Sequence, residues 1–384
     1  MNKEKSQKML SMYIHIPFCN KKCYYCDFLS FPQQESIFEE YANCLKKEIE
    51  SFVIKEGEMI TSIYIGGGTP SLLPAQVIAD LLSSILKTGK VTKQAEITIE
   101  VNPKTVTKQK LLLYQKSRIN RLSIGLQSTY NKRLNQLGRI HTYEDFLETY
   151  ELAKEVGFTN INIDLMIGLP NQTVKEVTNS IEKVLKLQPQ HISVYSLIIE
   201  EGTPFEEMLK QQKLCLPDEE VERKMYWKVK KELESKGYIQ YEISNFAKPG
   251  YACLHNLSCW NQEQYVGFGL GAHSYYEKKR YSNTKDLEEY LEKVKKGDFS
   301  SLRKIHEIQT KQDKEKEFML LGLRKIEGVN ISDFKFRFTE NPLYLFRTEL
   351  NKLVKQQLLC IQGDNICLTN KGLDFANMVW EEFV

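Results

Sequence analysis

The strongest constraint on the fold is a regular alternation of two kinds of segment in the first half of the chain. Six short apolar or β-branched runs have strand length, and a glycine, proline, asparagine or polar break follows each. They are Met12–Phe18, Ser62–Ile65, Ala95–Val101, Arg121–Leu126, Asn160–Ile167 and His191–Ile199. Between them lie stretches with apolar residues at helical spacing. These are Phe38–Val53, Pro74–Leu86, Lys108–Lys116, Tyr143–Val156 and Val174–Leu187.

Strands that alternate with helices predict right-handed crossovers and a mostly parallel α/β sheet. Such a sheet is either open and doubly wound or curled into a partial barrel, and periodicity alone does not choose between them. In both cases ligands bind at the carboxyl ends of the strands. Five predicted strands in sequence order carry polar groups towards that end: the Cys19/Cys23/Cys26 loop, Gly66-Gly67-Gly68-Thr69-Pro70, Glu100-Val101-Asn102-Pro103, Gln127-Ser128, and Asp164 within the fifth strand. Each one alone is explained by a turn or a hydrogen-bonded strand end, but together they indicate one site.

The pattern changes after about Thr203. Helices are predicted over Asp218–Lys236, Asp313–Ile326, Leu343–Gln356 and Asn370–Glu382, a strand over Tyr238–Ile243, a glycine-rich strand or turn region over Glu263–Tyr275, and a hairpin over Leu358–Leu368. The helices Asp313–Ile326 and Leu343–Gln356 and the hairpin Leu358–Leu368 together indicate a small winged-helix-like module. The 53 basic and 50 acidic residues nearly balance, so the charge does not support the nucleic-acid binding often associated with such modules.

Nine cysteines stand out in a chain of 384 residues, which is long enough to fold without a disulfide or metal staple. The charged start leads into only a brief apolar run without a small-residue cleavage site, so no signal peptide is expected. No apolar run approaches the ~20 residues that cross a bilayer. We therefore expect a cytoplasmic protein with reduced thiols, with peripheral contact to membrane-bound partners as an open alternative.

Three of these cysteines, Cys19, Cys23 and Cys26, form a CxxxCxxC pattern directly after the first predicted strand. Structural zinc normally takes four protein ligands, and iron–sulfur clusters are commonly held by four thiolates. Three thiolates around a [4Fe–4S] cluster would leave one iron open to a substrate or cofactor. Lys21 and Lys22 would favour the thiolate forms. We expect a cluster, with a structural metal or three ordinary reduced cysteines as the alternatives.

The segment Tyr13-Ile-His-Ile-Pro-Phe-Cys19 and the cysteine pattern after it resemble the radical S-adenosylmethionine (SAM) superfamily, in its coproporphyrinogen III oxidase-like branch. The resemblance covers nearly the whole chain. It implies a [4Fe–4S] cluster on Cys19, Cys23 and Cys26, a partial (β/α)6 barrel, and reductive cleavage of SAM to a 5′-deoxyadenosyl radical. It also implies a set of cofactor-binding residues and assigns no catalytic residue. That set is Tyr13, Tyr25, Gly67, Gly68, Thr69, Glu100, Gln127, Arg139 and Asp164.

The same resemblance divides the chain into three parts. Residues 1–210 would form the barrel, and residues 211–300 a connecting α/β segment. Residues 301–384 would form an α+β C-terminal domain with a winged-helix-like end.

Two departures separate this chain from the porphyrinogen-oxidising enzymes of the branch. Those enzymes carry a further cysteine two residues after the third, where this chain has Phe28, and a longer N-terminal extension before the position of Tyr13. The segment His255-Asn-Leu-Ser-Cys259-Trp260 resembles the HNxxYW signature of the HemW family of heme chaperones, with Cys259 in place of tyrosine. This resemblance implies binding of heme and its delivery to apo-hemoproteins such as respiratory enzymes. Oxygen-independent coproporphyrinogen III oxidation is the alternative function.

Three residues near that signature have side chains that can ligate heme iron. These are Cys253, His255 and Cys259, since histidine and cysteine thiolate are both axial heme ligands. A helix-capping turn with Trp260 in the core explains the segment equally well. Zinc is a poor fit because a fourth ligand is missing. The hypothesis is that His255 contributes to heme binding.

Overall fold

The computed structural model describes residues 8–32 and 34–384. The predicted start of the first part at residue 1, and most of the charged start that argues against a signal peptide, lie outside the described residues. The described strands are β1 (Lys8–Ile16), β2 (Phe18–Cys19), β3 (Phe31–Pro32), β4 (Glu58–Gly67), β5 (Val91–Val101), β6 (Arg121–Gln127), β7 (Ile161–Ile167), β8 (His191–Ser196), β9 (Ile239–Gln240), β10 (Asn245–Ala247), β11 (Gln264–Phe268), β12 (His273–Tyr276), β13 (Lys279–Asn283), β14 (Arg303–Ile308), β15 (Val329–Asn330), β16 (Leu359–Gln362) and β17 (Asn365–Leu368).

The described helices connect and cover these strands. They are α1 (Phe38–Ser51), α2 (Ala75–Leu86), α3 (Lys108–Lys116), α4 (Asn131–Gln136), α5 (Tyr143–Val156), α6 (Val174–Leu187), α7 (Pro204–Lys210), α8 (Glu219–Glu234), α9 (Leu254–Trp260), α10 (Leu287–Lys296), α11 (Lys311–Gly322), α12 (Ile331–Phe338), α13 (Pro342–Leu345), α14 (Arg347–Lys355), α15 (Asn370–Asp374) and α16 (Ala376–Glu381).

Six parallel strands form the centre of the molecule. Strand β1 pairs with β4, and β4 through β8 follow in sequence order. They are the strands of the predicted partial (β/α)6 barrel. Their residues alternate because successive side chains of a strand point to opposite faces. On β5, Ile97 and Ile99 are buried in the apolar core beneath the helices, whereas Thr98 and Glu100 face the barrel interior beside inward residues of the neighbouring strands.

Several predicted helices have the predicted bounds because strong local signals fix their ends. Helices α3, α5 and α6 match residue for residue. Thr142 and Thr173 form capping boxes at the starts of α5 and α6, which satisfy backbone donors of the first turn. Gly157 ends α5 with a φ of 106°, the left-handed conformation that a glycine C-terminal cap adopts. Pro74 is the N-cap of α2 and not its first helical residue.

The second half differs more from its prediction. Strands β11–β14 extend the central sheet beyond β1, and β10 and β9 extend it beyond β8, so that twelve strands form one sheet. The predicted helix Leu343–Gln356 is broken at Phe346, and the predicted helix Asn370–Glu382 is broken at Phe375. Both phenylalanines leave helical φ and ψ angles at the break. The predicted strand Tyr238–Ile243 is reduced to β9.

The C-terminal module has its own core. Strands β15, β17 and β16 form a three-stranded antiparallel sheet, and helices α11, α12 and α14 pack on it around Phe318, Phe334 and Leu353. This arrangement is the predicted winged-helix-like end. A single larger apolar core runs from Leu10 to Leu302. The predicted boundaries at residues 210 and 300 stay predictions.

A buried carboxylate joins α1 to the strands that extend the sheet. Glu48 is fully buried, and it accepts hydrogen bonds from the Gly269 backbone N–H, the Tyr290 hydroxyl and the Asn283 amide, at 2.8, 2.8 and 2.7 Å. Burial raises the pKa of Glu48, and these donors oppose that shift. The contacts compensate the loss of hydration.

We expect Glu48→Ala to lower the free energy of unfolding by about 3 kcal/mol, because it leaves three buried donors without their acceptor. Denaturant unfolding measures this change. Glu50→Ala is the matched control on the same helix, since Glu50 is exposed and its loss should cost less than about 0.5 kcal/mol. A loss below about 1 kcal/mol in Glu48→Ala would show that the carboxylate does not hold these elements together.

Candidate cofactor site

A cavity of about 390 Å³ opens at the carboxyl ends of the parallel strands. Almost every residue predicted for the site lines it, although the residues come from six different segments of the chain. Those residues are Cys19, Cys23, Tyr25, Cys26, Gly67, Gly68, Thr69, Glu100, Gln127, Arg139 and Asp164. Tyr13 and His255, which were also predicted, lie outside the lining. The structure brings this set together at one edge of the sheet, and the roles of its members stay predictions.

The three cysteines lie on a loop that starts at the end of β2. The loop turns back on itself through a hydrogen bond from the Cys26 N–H to the Cys23 carbonyl at 3.2 Å. The Thr69 hydroxyl donates to Cys19 Sγ at 3.6 Å, and Arg139 Nη1 donates to Cys23 Sγ at 3.7 Å. Burial raises the pKa of Cys26 to about 11, and the charge of Lys22 opposes this only weakly.

The glycine strip at the end of β4 brings its backbone against the cysteine loop. A Cβ atom at Gly68 would lie 2.6 Å from the Phe18 carbonyl oxygen, and one at Gly67 would lie 2.5 Å from the His15 ring. Gly67 also has a φ of 112°, a conformation that other residues rarely adopt. The glycines are therefore required for this close approach of strand and loop.

Asn102 is a site residue whose role the sequence did not assign. Its Nδ2 donates to the Thr69 hydroxyl at 2.7 Å, and its Oδ1 accepts from Arg139 Nη2 at 2.7 Å. Arg139 also donates to the Gly125 carbonyl at 2.7 Å. Asn102 therefore links the β4 and β5 strand ends to Arg139 and, through Thr69, to Cys19. Its place at the end of β5 was the available signal, but the bridge depends on contacts between distant segments.

Two carboxylates stand on the inner wall of the cavity. Glu100 accepts from the Tyr64 hydroxyl and the Gly67 N–H, both at 3.0 Å. Burial and the neighbouring Asp164 raise the pKa of Glu100 to about 7, while those two hydrogen bonds oppose the shift. Burial also raises the pKa of Asp164, and its hydrogen bonds oppose that shift. Paired acceptors of this kind can bind hydroxyl or ammonium groups of a ligand.

Tyr13 reaches the cysteine loop only through another residue. Its hydroxyl donates to His15 Nδ1 at 3.0 Å, and His15 Nε2 donates to the Leu29 carbonyl at 2.9 Å. Direct contact between Tyr13 and a cofactor stays a prediction. The described contacts make it a support for the loop that carries Cys26.

His255 lies at the opposite end of the barrel from the cavity mouth. It is 8% exposed, its Nδ1 is 3.1 Å from the Ser62 hydroxyl, and the Tyr64 ring centre is 5.1 Å away. Burial lowers its pKa to about 4. Glu96 at the start of the inward face of β5 accepts from the Leu254 and His255 backbone N–H groups.

Cys253 and Cys259, the two cysteines near His255 in the sequence, differ in burial. Cys253 is fully buried, and its thiol donates to Glu96 at 3.3 Å. Cys259 is half-buried, and burial raises its pKa to about 11.

Comparison with known proteins gives a consistent result along the whole chain. Residues 13–184 match the Radical SAM superfamily, and residues 309–375 match the HemN C-terminal domain. Heme chaperone HemW of Bacillus subtilis (strain 168) is 38% identical, over 98% of this chain and 99% of that protein. Heme chaperone HemW of Escherichia coli (strain K12) is 33% identical, over 98% of each. This chain belongs to the HemW family of the radical SAM superfamily.

Among solved structures, coproporphyrinogen III oxidase (HemN) from Escherichia coli has a TM-score of 0.84 and covers 98% of this chain and 90% of its own. Its identity is 24%, so it supports the shared fold alone. The radical SAM fold of this HemW-family chain implies a [4Fe–4S] cluster and SAM. The donor set fits them, because three thiols from one loop face a cavity that also holds carboxylates, a guanidinium and bare glycine backbone.

We expect Glu100→Gln to reduce the pH dependence of stability in the protein without cluster or SAM. A carboxyl with a pKa of about 7 when folded, against an ordinary value of about 4.5, binds a proton that the unfolded chain releases. The wild-type protein therefore loses stability from this group as the pH rises from 5 to 8, by about 2 kcal/mol. Glutamine cannot titrate, so that part of the loss should disappear.

Urea unfolding of both proteins at pH 5 and pH 8 measures the difference. Comparing the change with pH, and not the absolute stability, removes the constant effect of any lost hydrogen bond. Equal pH dependence in the two proteins would contradict the raised pKa of Glu100.

Proposed function

We propose that this chain binds heme and delivers it to apo-hemoproteins, and that a [4Fe–4S] cluster and SAM in the cavity support that activity. Cys19, Cys23 and Cys26 would hold the cluster, and Gly67, Gly68, Thr69, Glu100, Gln127, Arg139 and Asp164 would contact SAM, as would Tyr13 and Tyr25. When bound, the cluster supplies one-electron reduction. The residues of the chain position SAM and neutralise its charged groups. The proposed acceptors include respiratory enzymes, and the proposed location is the cytoplasm.

The observation that carries this proposal is the residue two positions after Cys26. Phe28 lines the cavity and is 62% exposed, where the porphyrinogen-oxidising enzymes of the branch carry a further cysteine. Ile198 and Tyr195 line the same cavity and are 66% and 41% exposed. Exposed apolar groups of this size often mark a binding surface. The flat apolar macrocycle of heme can pack against these three side chains. Lys21 or Lys22 on the same lining can pair with the heme carboxylates.

Nine free cysteines are consistent with a reducing compartment. No described helix is both long enough and apolar enough to span a bilayer.

The direct test is transfer of heme from the anaerobically reconstituted protein to a candidate apo-hemoprotein, followed by the absorbance of the acceptor. Cys26→Ala should lose iron and sulfide and transfer less heme, because one cluster ligand is removed, while the fold persists. Cys215→Ala is the control, since Cys215 is exposed and outside the cavity lining. Wild-type protein that neither binds nor transfers heme would contradict the proposal.

The oxidase alternative has its own measurement. Incubation with coproporphyrinogen III, SAM and a reductant without oxygen should give no catalytic formation of protoporphyrinogen. Repeated turnover would establish the enzyme and overturn the chaperone function as the main activity.

The contribution of His255 to heme binding stays a prediction, and the fold makes it specific. Because its ring lies beneath Tyr64 and against Ser62, it can meet heme iron only after α9 moves away from the barrel. We expect His255→Ala to lower heme affinity and to shift the heme absorption spectrum. Leu254→Ala on the same helix should change neither, since Leu254 is 47% exposed and precedes the signature. An unchanged affinity and spectrum in His255→Ala would exclude this ligand and leave the cavity mouth around Phe28 as the heme surface.

A further inference from the structure

A chain of hydrogen bonds runs behind the cavity wall to one of the proposed SAM contacts. Asn162 Nδ2 donates to Asp164 Oδ1 at 2.7 Å and to the Ser123 hydroxyl at 2.8 Å. The Ser123 hydroxyl donates to Asp164 Oδ2 at 3.2 Å. On the other side, Asn162 Oδ1 lies 2.6 Å from His191 Nδ1 and accepts from Ser193 at 3.1 Å. Asn162 therefore donates to Asp164 and Ser123 on the cavity side, and it accepts from His191 and Ser193 on the side away from the cavity.

This arrangement fixes the proton on the histidine. Because Asn162 Oδ1 can only accept, His191 Nδ1 must carry the hydrogen. Burial and the nearby Arg121 charge hold the pKa of His191 well below its ordinary value, so the ring is neutral. Its Nε2 is then free to accept from the Tyr241 hydroxyl, 2.9 Å away.

The chain ends at the segment that carries the HNLSCW signature. The Tyr241 hydroxyl accepts from the backbone N–H of Cys253 at 3.4 Å, and Cys253 is the residue immediately before α9. From Cys253 through Tyr241, His191 and Asn162, every donor points towards Asp164. None of these four residues lines the cavity.

We propose that Asn162, His191 and Tyr241 are positioning residues for SAM. They orient the Asp164 carboxylate and favour its charged form, because hydrogen bonds to an ionised acceptor are about twice as strong as neutral ones. A directed chain in a low-dielectric interior also polarises each successive bond. This inference rests on the proposed binding of SAM at Asp164. It assigns to two buried residues, Asn162 and His191, and to the partly buried Tyr241 an effect on a ligand from outside the cavity lining.

Two variants of His191 separate positioning from mere packing. An asparagine amide nitrogen can occupy the place of Nδ1 and still donate to Asn162, whereas a glutamine amide reaches only the place of Nε2. We expect His191→Gln to raise the SAM dissociation constant about tenfold and His191→Asn to raise it less than about threefold. Equilibrium binding of SAM to the anaerobically reconstituted protein gives both values.

Tyr226→Phe is the matched control. Tyr226 is buried, and its hydroxyl donates to the Ile243 carbonyl at 3.2 Å and accepts from the Gln240 amide at 2.7 Å. No described contact joins Tyr226 to Asp164. The Tyr226→Phe protein should be less stable than the wild type, and its dissociation constant for SAM should be unchanged. An equal rise in the SAM dissociation constant in His191→Gln and His191→Asn would overturn the proposal. Unchanged SAM binding in a folded His191→Gln protein would overturn it too.

A second measurement does not depend on SAM. The ¹⁵N chemical shifts of the His191 ring in the wild-type protein should report the Nδ1–H tautomer, and an Nε2–H tautomer would overturn the directed chain. If His191→Gln does not fold, Tyr241→Phe replaces it, with an expected rise of about threefold in the dissociation constant; no rise would contradict the proposal. Wild-type protein that fails to bind SAM while showing the Nδ1–H tautomer would contradict the proposed function and not the chain.

Discussion

The polar interior of the barrel is the constraint on which the rest of this structure depends. The outward faces of the parallel strands are apolar and build the core with the helices, as in any sheet covered on that face. The inward faces carry serine, threonine, asparagine, histidine, tyrosine, aspartate, glutamate and arginine side chains. Each buried polar group must find a partner or lose several kcal/mol of hydration. The resulting network holds Glu100 and Asp164 at the cavity wall.

How much of this could be predicted depends on how local the signal is. The α3, α5 and α6 bounds follow from amphipathic periodicity and from caps within a few residues, so the sequence was sufficient. The break at Phe346 coincides with its burial in the core of the C-terminal module, whereas nothing in the structure explains the break at the exposed Phe375. Helical periodicity continues through both positions. The addition of β11–β14 to the edge beside β1 was not predicted, because strand neighbours distant in sequence leave no local pattern.

The site residues also divide into those with a local sequence signal and those whose roles depend on contacts between distant segments. Cys19, Cys23 and Cys26 are found from spacing alone, and the glycines of β4 from their place after a strand. Arg139 lies in an ordinary-looking segment, and only the family resemblance selected it. Asn102, Asn162, His191 and Tyr241 act through bonds that join different strands, so nothing near them in the sequence marks their roles. His255 was selected from its resemblance to a family signature, whereas its enclosure beneath Tyr64 is visible only in the fold.

Helix α9 is fixed on two sides. Inside the barrel, its N-terminal N–H groups meet Glu96, and Ser258 lies 2.8 Å from Ser11 of β1. Outside, Trp260 at its end stacks on Arg324, whose guanidinium also stacks on Trp380, with centres 4.6 and 4.3 Å away. This helix therefore covers the amino-terminal end of the barrel interior, away from the cavity at the carboxyl ends of the strands. Because Trp380 belongs to α16, one short helix supports both the interior of the barrel and the last helix of the chain. A substitution that displaces α9 therefore removes a support from both.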